Sequence, residues 1–130
     1  MILVDSSVWI DFLRDAPTPS ARFVADHAGD DLATSEPILM EVLAGARPVH
    51  VDRIEHLLHS QRWCHVDAHV DFRGAAEVFR ATRARGHQPR STLDCLIAAV
   101  ALRRGVALAH RDRDFEHIAA ATGLGVVDLR

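Results

Sequence analysis

Met1-Ile2-Leu3-Val4-Asp5-Ser6-Ser7 is the stretch on which the fold turns. Ile2 to Val4 form an unbroken apolar run, the pattern of a strand buried on both faces of a parallel sheet. A carboxylate follows at once, then two hydroxyls. A charged group at the end of a buried strand is costly to desolvate unless something pairs with it. Open α/β sheets keep their ligand sites at the carboxyl ends of their strands. Asp5 is therefore expected to be the floor of a site, and the rest of the chain is read for the groups that reach it.

Moving outward, residues 6–13 read as a helix with Val8, Trp9, Phe12 and Leu13 on its apolar face and Ser6 or Ser7 as its cap. Asp15-Ala-Pro-Thr-Pro19 is a break. A second helix is expected over 19–28, stopping at Gly29, and a short strand over 31–34. Ser35-Glu-Pro37 opens a helix with an N-cap residue, an early acid and a first-turn proline. Ile38, Leu39, Val42 and Leu43 make its core face, and Glu41 lies off that face. Pro48 opens another helix to about residue 60, striped by Val51, Ile54, Leu57 and Leu58. Trp63 to Val66 reads as a strand. A longer helix follows over about 68–85, with Val70, Ala75, Val78 and Phe79 as apolar positions and Gly86 at its end.

Residues 91–104 form the clearest helix, because Leu93, Leu96, Ile97, Val100 and Ala101 recur at i, i+3, i+4, i+7 and i+8. Arg103 and Arg104 suit its C-terminus ahead of Gly105. Val106 to Ala109 is a strand, Asp112 to Thr122 a helix closed by Gly123, and Val126 and Val127 a last strand. Strands alternating with helices imply an α/β domain with a parallel sheet wrapped on both faces.

Composition narrows the chemistry. The 130 residues suit one domain, residues 1–130, with 48% hydrophobic content and a mean hydropathy near zero. No apolar run approaches the roughly 18 residues of a membrane span, and no signal peptide is expected before the first strand. Cys64 and Cys95 fall on segments expected to be buried, as reduced thiols of a cytoplasmic protein. All fifteen basic residues are Arg. The absence of Lys excludes P-loop phosphate transfer with its lysine and Schiff-base chemistry.

Four further acids deserve weighing beside Asp5. Ser91-Thr-Leu-Asp94 fits a capping box, a structural role. The same spacing sets Asp94 in the first helical turn beside the apolar stripe, where the dipole favours its ionised form. Asp112 and Asp114 read singly as an N-cap and a first-turn acid, and Glu41 alone as a solvated helix residue. As a set they are more specific. Gathered carboxylates repel and raise each other's pKa, and a hard divalent cation with a taste for oxygen, Mg²⁺ or Mn²⁺, relieves this. Acid-only sites of this kind suit phosphodiester hydrolysis.

Ile2-Leu-Val-Asp5-Ser-Ser7, Glu41 within Pro37-Ile-Leu-Met-Glu-Val-Leu-Ala-Gly45, Ser91-Thr-Leu-Asp94-Cys-Leu-Ile-Ala-Ala99 and Asp112-Arg-Asp114-Phe115 together resemble the PIN-domain ribonucleases. Within them the chain is similar to the VapC-type toxins of bacterial toxin–antitoxin pairs. The resemblance runs the whole length, in order. It implies a three-layer α/β/α fold with about five parallel strands and a Mg²⁺- or Mn²⁺-dependent endoribonuclease leaving 5′-phosphate and 3′-hydroxyl ends. It also implies a homodimer and a small antitoxin that blocks the acidic site. Asp5, Glu41, Asp94 and Asp112 carry over as the catalytic and metal-holding quartet, with Asp114 as an accessory metal acid and Ser6 and His110 as supporting residues. His110 is a departure, since the family often has Ser or Thr two residues before the fourth acid.

An acidic site for RNA needs cations at its rim. Arg80, Arg83, Arg85 and Arg90 precede the Asp94 helix, and Arg111 and Arg113 interleave the last acids. Arg80, Arg83, Arg85 and Arg90 are the candidate RNA contacts, through bidentate phosphate binding; a solvated helix end is the plain alternative. His56 and His59 share a helix with no zinc motif beside them, and Trp9 and Trp63 read as core. Two other functions stay open: a module that grips RNA or a partner with little turnover, and an RNA-processing nuclease without an antitoxin.

Overall fold

β1, Ile2–Val4, is flanked on both sides by parallel neighbours in the computed structural model, which describes residues 1–29 and 31–130. Ile2 and Leu3 pair with Leu32 and Ala33 of β2 (Leu32–Thr34), and Ile2 to Val4 pair with Ala107 to Ala109 of β4 (Ala107–His110). β3 (Arg62–Trp63) adds outside β2, and β5 (Val126–Asp128) outside β4. The order β3-β2-β1-β4-β5 is parallel throughout. Leu3, Val4, Ala33, Leu108 and Ala109 have no exposed surface, as expected where helices cover both faces. The chain builds from β1 out to β3, then returns to the far side of β1 for β4. The order therefore reverses between β1 and β4, and in open α/β sheets ligands bind in the crevice beyond the carboxyl ends at such a point.

Seven helices lie among the described residues: α1 (Ser6–Leu13), α2 (Pro19–Asp26), α3 (Glu36–Ala44), α4 (Val51–His59), α5 (Ala68–Ala84), α6 (Thr92–Arg104) and α7 (Arg113–Thr122). α1 packs on α2 and α3, and α5 on α6 and α7, completing the expected three-layer α/β/α sandwich. Cys95 to Ala101 are all buried, so α6 is covered on every side rather than along one stripe. Small residues permit this. A Cβ placed on Gly74 of α5 would lie 3.3 Å from the Ala99 Cβ, so the two helices touch nearly backbone to backbone there.

The differences from the sequence reading have local causes. The strand expected over Trp63–Val66 shrinks to Arg62–Trp63, because Glu36 draws the following backbone away: its carboxylate accepts from Val66 N at 2.8 Å and meets His65 Nδ1 at 2.6 Å. Trp63 is half-buried at the sheet edge, stacked between His59 and His65, rather than core. The helix expected to start at Pro48 begins as a 3₁₀ turn, Pro48–His50. Val70 of α5 is 48% exposed, and the inward face is instead Asp71, Ala75, Val78 and Thr82. Asp71 is 2% exposed and takes Arg103 Nε and Nη2 at 2.8 and 2.9 Å, while Nη2 also donates to the His65 carbonyl at 2.8 Å. Burial works against its ionisation, but the guanidinium bonds, the Asp67 backbone N–H and the Arg103 charge together outweigh burial and hold its pKa below the usual carboxylate value.

Candidate active site

Asp5 is the first residue past β1 and the N-cap of α1, with its backbone N–H held by the Ala109 carbonyl of β4 at 2.9 Å. That bond fixes it at the sheet's reversal point. Neither Ser6 nor Ser7 caps α1. Ser7 Oγ donates to Asp5 Oδ2 at 2.9 Å, and Ser6 Oγ donates across to Glu41 Oε1 on α3 at 3.0 Å. The hydroxyls of this helix start thus orient two acids instead of the helix. Asp94 arrives from the first turn of α6, whose cap is Ser91: Ser91 Oγ accepts from Asp94 N at 3.2 Å. Capping and site roles coexist, because Asp94 supplies the cap with its backbone and leaves its carboxylate for the cleft.

Asp5, Glu41 and Asp94 each offer a carboxylate oxygen within 4.8 Å of the others. Asp5 Oδ1 is buried without a hydrogen-bond partner among the described residues. Burial, with Glu41's charge adding, pushes the Asp5 pKa up to about 6 against the relief from Ser7 and nearby backbone N–H groups. Burial first, then the charges of Asp5, Glu41, Asp112 and Asp114, push Asp94 up to about 7. Two carboxyls forced toward neutrality, beside a buried oxygen with nothing to bind, are what a hard cation would relieve. The donor set is all oxygen and fits Mg²⁺ or Mn²⁺.

Asp112 lines the same cleft, about 430 Å³, with Asp5, Ser6, Ser7, Glu41, Ser91 and Asp94. It stands apart from the close trio and is the N-cap of α7, its Oδ1 accepting from Asp114 N at 2.9 Å. Both Asp112 and Asp114 are held by Arg90, whose Nη2 donates to Asp112 Oδ1 at 2.9 Å and whose Nε donates to Asp114 Oδ2 at 3.2 Å. The other candidate arginines lie elsewhere. Arg80 and Arg83 line a separate groove with Phe72, Phe79, Leu93 and Leu96, Arg83 lying over the Phe79 ring, and Arg85 is exposed.

His110 is fully buried beneath the cleft. Its Nδ1 accepts from Asp112 N at 3.0 Å, which leaves the neutral ring's proton on Nε2 for Glu116 Oε2 at 2.9 Å. Both ring nitrogens are thereby engaged. Cys95, next to Asp94, is buried, and burial with the Asp94 charge pushes its thiol up to about 11, far from a nucleophile's range.

Sequence reading missed Asp11 and Arg14, which line the cleft from α1. Asp11 Oδ2 accepts from Arg111 Nη1 at 2.6 Å and from Thr18 Oγ1 at 2.9 Å. Ser7, Asp11 and Arg14 recur at i, i+4 and i+7, so they share one helical face; once Ser7 is set at the site, that spacing was the available signal.

Residues 2–121 match the PIN domain family. The whole chain aligns at 39% identity over 135 residues, with both proteins fully covered, to ribonuclease VapC11 of Mycobacterium tuberculosis. Among solved structures the fold is similar to VapBC2 from Rickettsia felis bound to a promoter DNA fragment (TM-score 0.74, 16% identity, 100% of each chain covered). It is similar also to a toxin–antitoxin complex from Klebsiella pneumoniae (TM-score 0.69, 22% identity, covering 100% of this chain and 98% of that one). A sheet reversal bearing crowded carboxylates and a full-length match to VapC11 lead to one assignment: this chain belongs to the PIN-domain family, in its VapC group.

Proposed function

We propose that this chain is a divalent-metal-dependent endoribonuclease and the toxin half of a toxin–antitoxin pair. The observation that carries the chemistry is the meeting of Asp5, Glu41 and Asp94 around an unpartnered buried carboxylate oxygen. VapC11 is named a ribonuclease, and it aligns along its whole length. Asp5, Glu41 and Asp94 would hold Mg²⁺ or Mn²⁺, with Asp112 as the fourth acid of the cleft. When bound, the cation polarises a phosphodiester and lowers the pKa of water beside it. Ser7 and Ser6 keep Asp5 and Glu41 aimed, so no reorientation is spent at the moment of reaction. Arg14 and Arg111 line a cleft that must receive a polyanion, and Arg90 meets it through Asp112; Arg80 and Arg83 on the separate groove, and the exposed Arg85, are the remaining candidate RNA contacts.

The partners follow from the same reading: an RNA substrate, a small antitoxin, and a second copy of the chain, in the cytoplasm. No helix among the described residues is long and apolar enough to cross a membrane. A groove of about 320 Å³ between α1, α3 and α4 offers Ile10, Leu13, Val42 and Ile54, rimmed by Arg14, Arg47 and Arg53. It shares Ile10 and Arg14 with the cleft. An antitoxin segment with apolar and acidic side chains laid there would end at the acidic site.

The test is cleavage of a mixed RNA pool by purified, antitoxin-free protein in Mg²⁺, Mn²⁺ or EDTA, beside Asp94→Asn. Metal-dependent cleavage by the wild type, with RNA binding but no cleavage by the variant, is expected. Folded wild-type protein that binds RNA but cleaves none with either metal would overturn the nuclease in favour of a binding module.

A further inference from the structure

Arg90 stands on the connection between α5 and α6, one residue before the Ser91 cap that lines the cleft. Three of its donors go to acids of the β4–α7 corner. The backbone N–H and Nε meet Asp114 Oδ2 at 3.1 and 3.2 Å, and Nη2 meets Asp112 Oδ1 at 2.9 Å. The other guanidinium of that corner with an acid partner, Arg111, is committed to Asp11. Asp114 and Asp112 are therefore treated differently. Asp114 anchors the Arg90 backbone, and a stack of His87 on His117 at 3.7 Å ties the same connection to α7. Asp112 is held by the far end of a flexible side chain that is 73% exposed. That one contact is separate from the bonds of the Arg90 backbone and Nε to Asp114 and from the α7 cap.

Asp112 also belongs to the cleft of Asp5, Glu41 and Asp94, where its negative charge adds to theirs. An exposed ion pair is weak. A divalent ion already held by three carboxylates offers Asp112 a stronger partner than a solvated guanidinium does.

We propose that Arg90 is a built-in counter-cation that holds Asp112 while the site carries no divalent ion, and that Asp112 exchanges the guanidinium for the ion as the site loads. This rests on the metal-dependent reading above. The exchange leaves Arg90 anchored at Asp114 by its backbone N–H and its Nε, with Nη2 released from Asp112. It gives Asp112 and Asp114 separate roles, one as exchangeable ligand and one as pivot.

The test is Mn²⁺ binding to the full chain without RNA or antitoxin, read by electron paramagnetic resonance of free Mn²⁺. The set is wild type, Arg90→Gln, Asp112→Asn and the double variant, each shown to be folded by circular dichroism. Arg90→Gln is expected to bind Mn²⁺ about 2- to 5-fold tighter than wild type, the competition an exposed pair exerts. In the Asp112→Asn background the same change is expected to leave affinity unaltered. Equal or weaker binding by Arg90→Gln overturns the exchange. So does equal tightening with Asp112 removed, which would reduce Arg90 to a charge acting at a distance. Folded wild-type protein that takes up no Mn²⁺ would overturn the metal-dependent reading itself, whereas uptake indifferent to Arg90 overturns only the exchange.

Discussion

Replacing Asp94 by Asn should stabilise the metal-free protein, and by an amount that depends on pH. The Asp94 carboxyl titrates near 7 in the folded chain and near 3.8 when unperturbed, because burial and four neighbouring acids disfavour its charge. The folded chain therefore binds more protons than the unfolded one between those values. Stability contributed by this group is full below about 4 and is lost as pH rises to about 7. At about 1.4 kcal/mol per pH unit the whole loss is about 4 kcal/mol. Discounting for the cleft's contact with water, the part lost between pH 5 and pH 8 is about 2 kcal/mol. Asn carries no such penalty, and any fixed cost of its amide is the same at both pH values. The gap in Tm between Asp94→Asn and wild type should thus widen in the variant's favour from pH 5 to pH 8, by roughly 6 °C for a chain of this size. Thermal melts followed by circular dichroism in EDTA measure it. Added Mn²⁺ should raise the wild-type Tm at pH 8 and leave the variant's nearly unmoved. A gap that is constant with pH would refute the claim that charge crowding strains this site.

Other outcomes follow from single contacts. Ser6→Ala removes the 3.0 Å bond to Glu41, and RNA cleavage should fall about 5-fold with Tm nearly unchanged; undiminished cleavage would mean Glu41 needs no orienting. Arg103→Met strands the buried Asp71 carboxylate and should cost about 3 kcal/mol in urea denaturation, whereas a loss under about 1 kcal/mol would mean water solvates Asp71 readily. His110→Ala removes two hydrogen bonds and opens a cavity, at about 3 kcal/mol. Mn²⁺ affinity should hold within about 2-fold if His110 only packs the fold; a tenfold fall would mean that its bond to Asp112 N orients the metal-holding acids.

The layering of the chain was legible because it depends on local pattern. The apolar run Ile2–Val4, the periodicity of α6 and the stops at Gly105 and Gly123 each act within a few residues, and the elements stand close to where they were read. Asp5, Glu41 and Asp94 were legible as candidates because each sits at a readable point: a strand's end, a helix off its core face, a helix's first turn. Partner choice was not readable. That Ser6 turns to Glu41, thirty-five positions away, depends on α1 packing against α3. That Asp71 is buried while Val70, read as apolar, is exposed depends on Arg103 arriving from α6. The arginines divide for the same reason. Arg80, Arg83, Arg85 and Arg90 are neighbours in sequence, yet the turn between α5 and α6 sends Arg90 to Asp112 and Asp114 and leaves Arg80 and Arg83 on another groove. Sequence alone determined which segments form strands and helices and which acids stand at their ends, because backbone preference and hydrophobic period are short-range. Only the tertiary structure decided which charges meet, because a carboxylate's partner is set by distance in space and by the water excluded between them.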